Sequence, residues 1–255
     1  MEFHLVTLFP ELFESPFSES ILKRAQEKKL IQIRVHNLRE YTEDRHRVTD
    51  DYPFGGGTGM VMKPEPFVSA IRGLKDQFGS AHTVLMSPQG TRLDQKKVWE
   101  LSTRERLIIL CGRYEGVDER VREGWVDEEI SIGDFVTSGG ELPAMLVVEA
   151  VARLVPGVVS GETATTDESF ENNLLEYPLY TRPRVFEDRG VPEVLLNGNH
   201  EDIRRWRKEM SFRRTLERRP DLLRQTELEE DDLRLLEKVR RDIGGCDSLP
   251  DRKNI

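Results

Sequence analysis

The first 160 residues alternate short apolar runs with longer stretches in which apolar residues recur at helical spacing. The short runs predict five strands, at Phe3–Phe9, Ile31–His36, Thr83–Met86, Leu107–Cys111 and, with a weaker pattern, Glu129–Ile132. The helical stretches are Glu65–Phe78, Asp94–Ser102 and Leu142–Val155. Strands that alternate with helices favour a mostly parallel sheet, so residues 1–160 are predicted to form an α/β domain.

The pattern changes after Val155. Residues 159–173 are polar and rich in Thr, Asp and Asn, which predicts a mobile linker, placed at residues 161–175. Beyond the linker the pattern is helical, and Pro220 is expected to end a helix that carries Trp206 on its apolar stripe. Thr226 and Glu229 have the spacing of a capping box for a last helix. Residues 176–255 are therefore predicted to form a small all-helical domain.

Composition narrows the class of protein. Two cysteines, Cys111 and Cys246, do not make a disulfide framework, and the five histidines show no paired spacing for a zinc site. The N-terminus lacks the basic region of a signal peptide. The most apolar helical stretch is about 14 residues long, whereas a bilayer needs about 20. We therefore expect a soluble cytoplasmic protein with no membrane partner and no metal-ligand set.

The charge distribution changes what the net charge of −9 suggests about partners. Between Arg204 and Arg219 eight basic residues stand against two acidic ones. Such a stripe can bind phosphate despite a negative total, because screening cuts off distant charges within about 8–10 Å. A solvated helix face is the ordinary alternative for a charge run. The stripe predicts a nucleic-acid contact, with Arg205 and Lys208 as its test positions.

Three glycine-containing segments follow predicted strands: Met86–Gly90, Cys111–Asp118 and Ile132–Pro143. Open α/β sheets bind ligands at the carboxyl ends of their strands, and glycine lets the backbone approach a ligand closely. Backbone groups there could recognise the edge of an adenine. No Gly-x-Gly-x-x-Gly motif follows a strand, and Gly55–Gly59 lacks the Lys-Ser or Lys-Thr of a phosphate loop. That glycine run is interpreted as a flexible surface loop.

Several longer motifs occur in a fixed order along nearly the whole chain. They are Thr7–Pro10, Asp50–Met60, Cys111–Gly116, Ile132–Phe135, Ser138–Glu141, Tyr180–Pro183 and Gly198–His200. With these motifs the sequence closely resembles the bacterial tRNA (guanine-N(1))-methyltransferases, the TrmD family of the SPOUT superfamily. Together they are far more specific than any single loop.

The resemblance implies a fold, a cofactor and a partner. It implies a homodimer with each active site between two subunits, and a trefoil knot in the N-terminal domain that holds S-adenosylmethionine in a bent shape. It implies methyl transfer to N(1) of guanosine 37 in tRNA, beside the anticodon. Magnesium is linked to activity in the family, although the sequence shows no dedicated site for it.

The expected cofactor contacts combine the convergence of the three loops with the family match. They are Pro88, Gly112, Tyr114, Glu115, Gly116, Ile132, Gly133, Asp134, Phe135, Val136, Thr137, Gly139, Gly140 and Pro143. A bulky side chain at Gly112 or Gly140 is expected to block the pocket without unfolding the domain.

The catalytic assignments also come from the resemblance. The family places Asp-Ser-Phe in the linker with that Asp as general base, whereas this chain has Asp167-Glu168-Ser169-Phe170. Glu168 is the aligned candidate and Asp167 the second. Arg153, at the matching family position, is expected to hold O6 of the guanine as negative charge builds there.

The remaining assignments concern RNA. Arg182 and Arg184 are expected to contact the tRNA backbone together with the basic helix, and Asp50 is a candidate for contact with an anticodon-loop base. Two alternatives stay open, a ribose 2′-O-methyltransferase of the same superfamily and a non-catalytic RNA-binding protein. The linker carboxylates count against the ribose enzyme, because a base N–H suits a carboxylate acceptor.

Overall fold

The fold is described from a computed structural model that covers residues 1–159, 168–226 and 228–244, except the side chain of Gln225. The chain divides into two compact units, Met1–Ser160 and Gly161–Ile255. Within the described residues, no helix is both long and apolar enough to cross a membrane.

The first unit is an α/β structure built on a parallel sheet. Its strands are β1 (Glu2–Thr7), β2 (Gln32–Asn37), β3 (Asp50–Asp51), β4 (Val61–Met62), β5 (His82–Arg92), β6 (Arg106–Cys111) and β7 (Glu128–Ser131). Its helices are α1 (Glu14–Phe17), α2 (Ser20–Glu27), α3 (Pro64–Phe78), α4 (Gln95–Ser102), α5 (Glu119–Trp125) and α6 (Glu141–Ala152). The main sheet has the order β2-β1-β6-β5-β7 with parallel neighbours throughout, while β3 and β4 form a separate antiparallel hairpin.

The predicted α/β class, the five strands and the three helices are confirmed, with ends shifted by a few residues. The sheet is covered on both faces, which is why its central strands are almost continuously apolar. On β1, Phe3 and Leu5 face a core shared with α2, α4 and α6, whereas Val6 faces a core shared with α3 and α5. Each large apolar side chain buried in this way contributes about 1.5–3 kcal/mol relative to exposure.

Strand β5 is interrupted where it reaches the end of the sheet. Ile130 of β7 pairs with both Met86 and Thr91, so residues 87–90 are extruded from the strand. The apolar run that predicted this strand stopped at Met86, because the continuation is mostly exposed. The extruded segment is the first of the three glycine-containing loops.

A histidine pair lies between β1 and β2. His4 is buried, and its Nδ1 is 3.0 Å from His36 Nε2, while Tyr41 Oη is 3.3 Å from His36 Nδ1. Burial, with the neighbouring His4 and Arg34, lowers the pKa of His36 to about 4, and burial also lowers the pKa of His4. The pair is therefore neutral near pH 7.

The second unit has two main helices, α7 (His200–Arg218) and α8 (Glu230–Asp242). It also contains a short hairpin, β8 (Val185–Phe186) and β9 (Arg189–Gly190), which the sequence pattern did not indicate. Phe212, Leu223, Leu236 and Val239 form its core.

The predicted capping box of the last helix is wrong. Glu229 is the N-cap of α8 and makes no side-chain capping bond. The hydroxyl of Thr226 instead donates to the carbonyl of Leu222 at 3.0 Å, within the preceding turn. A Thr hydroxyl can satisfy a nearby carbonyl as readily as it caps a helix, so the spacing alone did not decide between the two.

Candidate active site

The structure brings the three glycine-containing loops together around one cavity of about 270 Å³ at the carboxyl ends of β5, β6 and β7. All the expected cofactor residues line it except Gly133 and Asp134, which belong to the same loop as their lining neighbours. The expected contacts did not include several lining side chains: Met86, Ser87, Gln89 and Arg113, which lie within the predicted loops, and Arg122, which lies outside them. Arg122 belongs to the short charged helix α5, and a charged helix residue looks like a solvated surface position in a sequence, so nothing marked it.

The second and third loops are joined directly by backbone. The amide of Gly140 donates to the carbonyl of Gly112 at 2.9 Å. Arg113 and Gly139 also pair with each other in the manner of two antiparallel strands, at this one position only. Tyr114 at φ 59° holds the tight turn that follows, a left-handed conformation uncommon for a non-glycine residue. Loops fixed in this way form a cavity wall that is largely preformed.

Close backbone packing explains two of the glycines. A Cβ at Gly140 would lie 2.8 Å from Cys111 Cα and 3.1 Å from Met86 Cβ. A Cβ at Gly90 would overlap the backbone of Glu129. At both positions the lack of a side chain, rather than an unusual φ angle, is what the fold requires.

A closed ring of contacts lies behind the second and third loops. Thr7 Oγ1 donates to Glu141 Oε1 at 2.8 Å and accepts from the amide of Phe9 at 2.9 Å. Arg113 Nε is 3.0 Å from Glu141 Oε2, and the Arg113 guanidinium lies over the Phe9 ring at 4.6 Å. The Glu141 side chain is 1% exposed. A Cβ at Gly139 would overlap the side chains of Arg113 and Glu141. The ion pair therefore packs directly on the backbone of Gly139, which is part of the cavity wall.

Cys111 lies beneath this ring. Its side chain is fully buried, and burial, with the nearby Glu141 carboxylate, raises the pKa of its thiol well above the usual value although Arg113 opposes the shift. The thiol therefore stays protonated near neutral pH.

A second arginine supports the first loop. Arg122 Nη2 donates to Gln89 Oε1 at 2.8 Å and to Glu129 Oε2 at 2.7 Å. Because Arg122 belongs to α5 and Gln89 to the extruded segment of β5, this contact ties the segment to the body of the first unit.

The Gly55–Gly59 segment is joined to the second loop. The amide of Glu115 donates to the Met60 carbonyl at 3.0 Å, and the amide of Met62 donates to the Gly116 carbonyl at 2.9 Å. Gly59, at φ 95°, packs against the Glu115 side chain. Since Asp50 pairs with Met62 in the hairpin, the same bonds connect Asp50 to the cavity wall.

Neither of the two expected catalytic residues that the structure describes, Arg153 and Glu168, is among the residues that line this cavity. Arg153 is half-buried and caps the C-terminal end of α6, about 15 Å along the helix axis from Pro143 at the cavity. Glu168 belongs to the second unit, where its carbonyl accepts from the amide of Glu171 at 3.2 Å. Asp167 lies outside the described residues.

The expected RNA-contacting arginines lie in the second unit, on α7 and on a segment that packs beside it. Tyr180 packs against Trp206 with ring centroids 6.4 Å apart, which brings the segment carrying Arg182 and Arg184 beside α7, and both arginines are exposed. Lys208 Nζ lies 2.5 Å from Asp232 Oδ2, so its charge is offset, whereas Arg205 forms no ion pair among the described residues.

Within the described part of the chain, no group of three or more His, Cys, Asp or Glu side chains could hold a metal ion.

Parallel strands whose carboxyl-end loops enclose a glycine-walled cavity define an α/β protein built to hold a small ligand or cofactor. The chain belongs to the tRNA (Guanine-1)-methyltransferase TrmD family, whose model matches residues 1–225. It is 54% identical over 239 residues to the tRNA (guanine-N(1)-)-methyltransferase of Dictyoglomus turgidum, covering 94% of this chain and 96% of that relative. The protein of the same name from Geotalea uraniireducens is 52% identical over 247 residues, covering 97% of this chain and all of the relative.

Proposed function

We propose that this chain transfers a methyl group from S-adenosylmethionine to N(1) of guanosine 37 in tRNA, next to the anticodon. The observation that carries the proposal is the single cavity formed by the three loops at the carboxyl ends of β5, β6 and β7, in a member of this family. In this proposal, residues 1–160 form a knotted domain that binds the cofactor, and residues 176–255 form a domain that binds tRNA. Residues 161–175 connect the two domains.

The chemistry of the cavity suits the cofactor. The cavity volume of about 270 Å³ approaches the lower end of ordinary ligand pockets. Gly112, Gly139 and Gly140 line the cavity without side chains, so a ligand can approach the backbone of these loops closely, and backbone groups of the loops are suited to recognise the edge of an adenine. When bound, S-adenosylmethionine supplies an electrophilic methyl group on a positively charged sulfur.

Methylation of N(1) of guanine also requires removal of the N(1) proton. We assign this role to Glu168, with Asp167 as the second candidate, because a carboxylate is a suitable acceptor for a base N–H. Arg153 is assigned to O6, where its guanidinium would stabilise the negative charge that builds as the proton leaves.

A homodimer would bring these groups together. Arg153 and the cofactor cavity lie at opposite ends of α6, so a second copy of the chain is the simplest source of the arginine that each cavity would use. The same helix carries an uncovered apolar face: Leu142 and Leu146 are 62% and 53% exposed. With Met145 and Phe17 they border a groove that a second copy would cover.

Methyl transfer to tRNA transcripts tests the proposal. A transcript with guanosines at positions 36 and 37 should accept labelled methyl from S-adenosylmethionine, and one with adenosine at position 37 should not. Nuclease digestion should then yield 1-methylguanosine. Ribose-methylated nucleotides would instead indicate the 2′-O enzyme, and binding of tRNA without transfer would indicate an RNA-binding protein.

A further inference from the structure

Two segments of the chain that form the cavity wall are joined by the backbone bond from Gly140 to Gly112 and by one buried ion pair. Arg113 follows β6 in the second loop, and Glu141 begins α6 at the end of the third. Their side chains meet at 3.0 Å, with the Arg113 side chain 20% exposed and that of Glu141 1% exposed. The carboxylate also lies in the first turn of α6, where the helix dipole favours negative charge.

We propose that Arg113 and Glu141, with Thr7 as their bridge to β1, are positioning residues that hold the cofactor-binding loops in their competent arrangement. The inference rests on the proposed function and names the side chains that set its cofactor affinity. Neither residue is proposed to take part in the chemistry.

The contacts support positioning rather than general stabilisation. The pair touches the backbone of the cavity wall itself, since Gly139 has no room for a Cβ beside it. The Arg113 guanidinium also reaches the Ser138 carbonyl, at 3.4 Å, and stacks on Phe9. Arg113 lines the cavity, so a shift of its side chain moves the wall that a ligand would contact.

A buried ion pair adds little to stability compared with an apolar pair of similar size, whereas removal of one partner leaves an unpaired buried charge. Replacement of both partners together therefore distinguishes a positioning role from a role in general stability. A double replacement, Arg113→Met with Glu141→Leu, should keep a melting temperature close to that of the unaltered chain if it packs well. It should still lower the affinity for S-adenosylmethionine about tenfold or more, because apolar side chains do not fix the loops with the accuracy that a binding site needs.

The matched control is an ion pair at the opposite end of β6, which joins that strand to β1. Arg106 Nε lies 3.4 Å from Glu2 Oε2, where β6 and β1 begin. Arg106→Met with Glu2→Leu should leave the affinity for S-adenosylmethionine unchanged. Both doubles are measured in the full chain by calorimetric titration with S-adenosylmethionine and by thermal unfolding.

Thr7 provides a milder variant in case the double replacement does not fold. Thr7→Val removes the hydroxyl that joins the Phe9 amide to Glu141, and the loss of one such bond should weaken cofactor binding about threefold or more. Thr7→Ser, which keeps the hydroxyl, should restore most of the affinity.

The outcomes distinguish the two proposals. If the unaltered chain neither binds S-adenosylmethionine nor methylates tRNA, the proposed function fails. If the unaltered chain binds it and a folded Arg113→Met/Glu141→Leu double binds it equally well, the positioning role is overturned. Unchanged affinity in Thr7→Val would overturn it as well.

Discussion

Gly140 is a position where one added methyl group should damage the cavity wall. Its φ of −78° and ψ of −5° are open to any residue, so Gly140→Ala introduces no backbone strain. The new Cβ would instead lie 2.8 Å from Cys111 Cα and 3.1 Å from the amide nitrogen of Gly112. Both neighbours are backbone atoms of the cavity wall, so α6 and the end of β6 must move apart.

The magnitude follows from this crowding. Overpacking lowers the free energy of unfolding by about 1–3 kcal/mol. Replacing the glycine also makes the unfolded chain less flexible, which raises the free energy of unfolding by about 0.4–1 kcal/mol. A net loss of about 1–2 kcal/mol lowers the melting temperature by roughly 2–8 °C for a unit of this size. The affinity for S-adenosylmethionine should fall at least about tenfold, because the displaced backbone forms the proposed site.

Gly112→Ala and Gly124→Ala are the controls, read by thermal unfolding and calorimetric titration. A Cβ at Gly112 meets only Val117 Cγ2, at 3.2 Å, and that side chain can adjust, so binding should change little. The sequence-based expectation treated Gly112 and Gly140 alike, as positions where a bulky side chain would block the pocket without unfolding the domain, whereas the structure separates them for alanine. Gly124 lies in α5 with no atom within 4 Å, so alanine there should stabilise by up to about 1 kcal/mol. If Gly140→Ala matched the unaltered chain in both melting temperature and affinity, the reasoning from close backbone contact would be refuted.

Three further predictions concern catalysis, RNA binding and acid stability. Glu168→Gln should lower single-turnover methylation by roughly 100- to 10,000-fold with cofactor binding little changed, and Asp167→Asn should do much less; the reverse order would make Asp167 the base. Arg205→Glu should weaken tRNA binding and flatten its salt dependence more than Lys208→Glu does, because Lys208 is already paired with Asp232. Equal salt-dependence slopes for the two variants would contradict a phosphate contact by Arg205. The pKa of His36 is about 4 in the fold, so between its unfolded value of about 6.5 and pH 4 the unfolded chain binds more protons, and the free energy of unfolding should fall as the pH falls. Denaturant titrations should show this fall, and His36→Gln should reduce it.

Much of the fold was predictable because of where the sheet lies. Strands covered on both faces must be apolar along their length, so β1 and β6 stand out as short runs such as Leu107–Cys111. Helix α5 was missed, because it is short, mostly charged and buries only Val121. The apolar run that indicated β5 could not show that the strand resumes after an extruded segment.

The candidate site was predictable for its backbone and not for its side chains. Glycines after strands mark loops that approach something closely, and those loops do meet around the cavity. The pairing of Arg113 with Glu141 joins residues 28 positions apart, and no local pattern shows that these two side chains meet. The expectations of a knot and of a homodimer came only from the family resemblance, since periodicity carries no information about how a chain threads or what covers an apolar face.

The protonated thiol of Cys111 has a practical consequence for labelling. Thiol-directed reagents react with the thiolate, and this side chain is both inaccessible and held in its neutral form. The sequence contains only one other cysteine, Cys246. With Cys246 replaced by serine, a cysteine introduced at an exposed site should be the single position that takes up a maleimide dye, which gives a route to fluorescence measurements without disturbing the strand beneath the cavity.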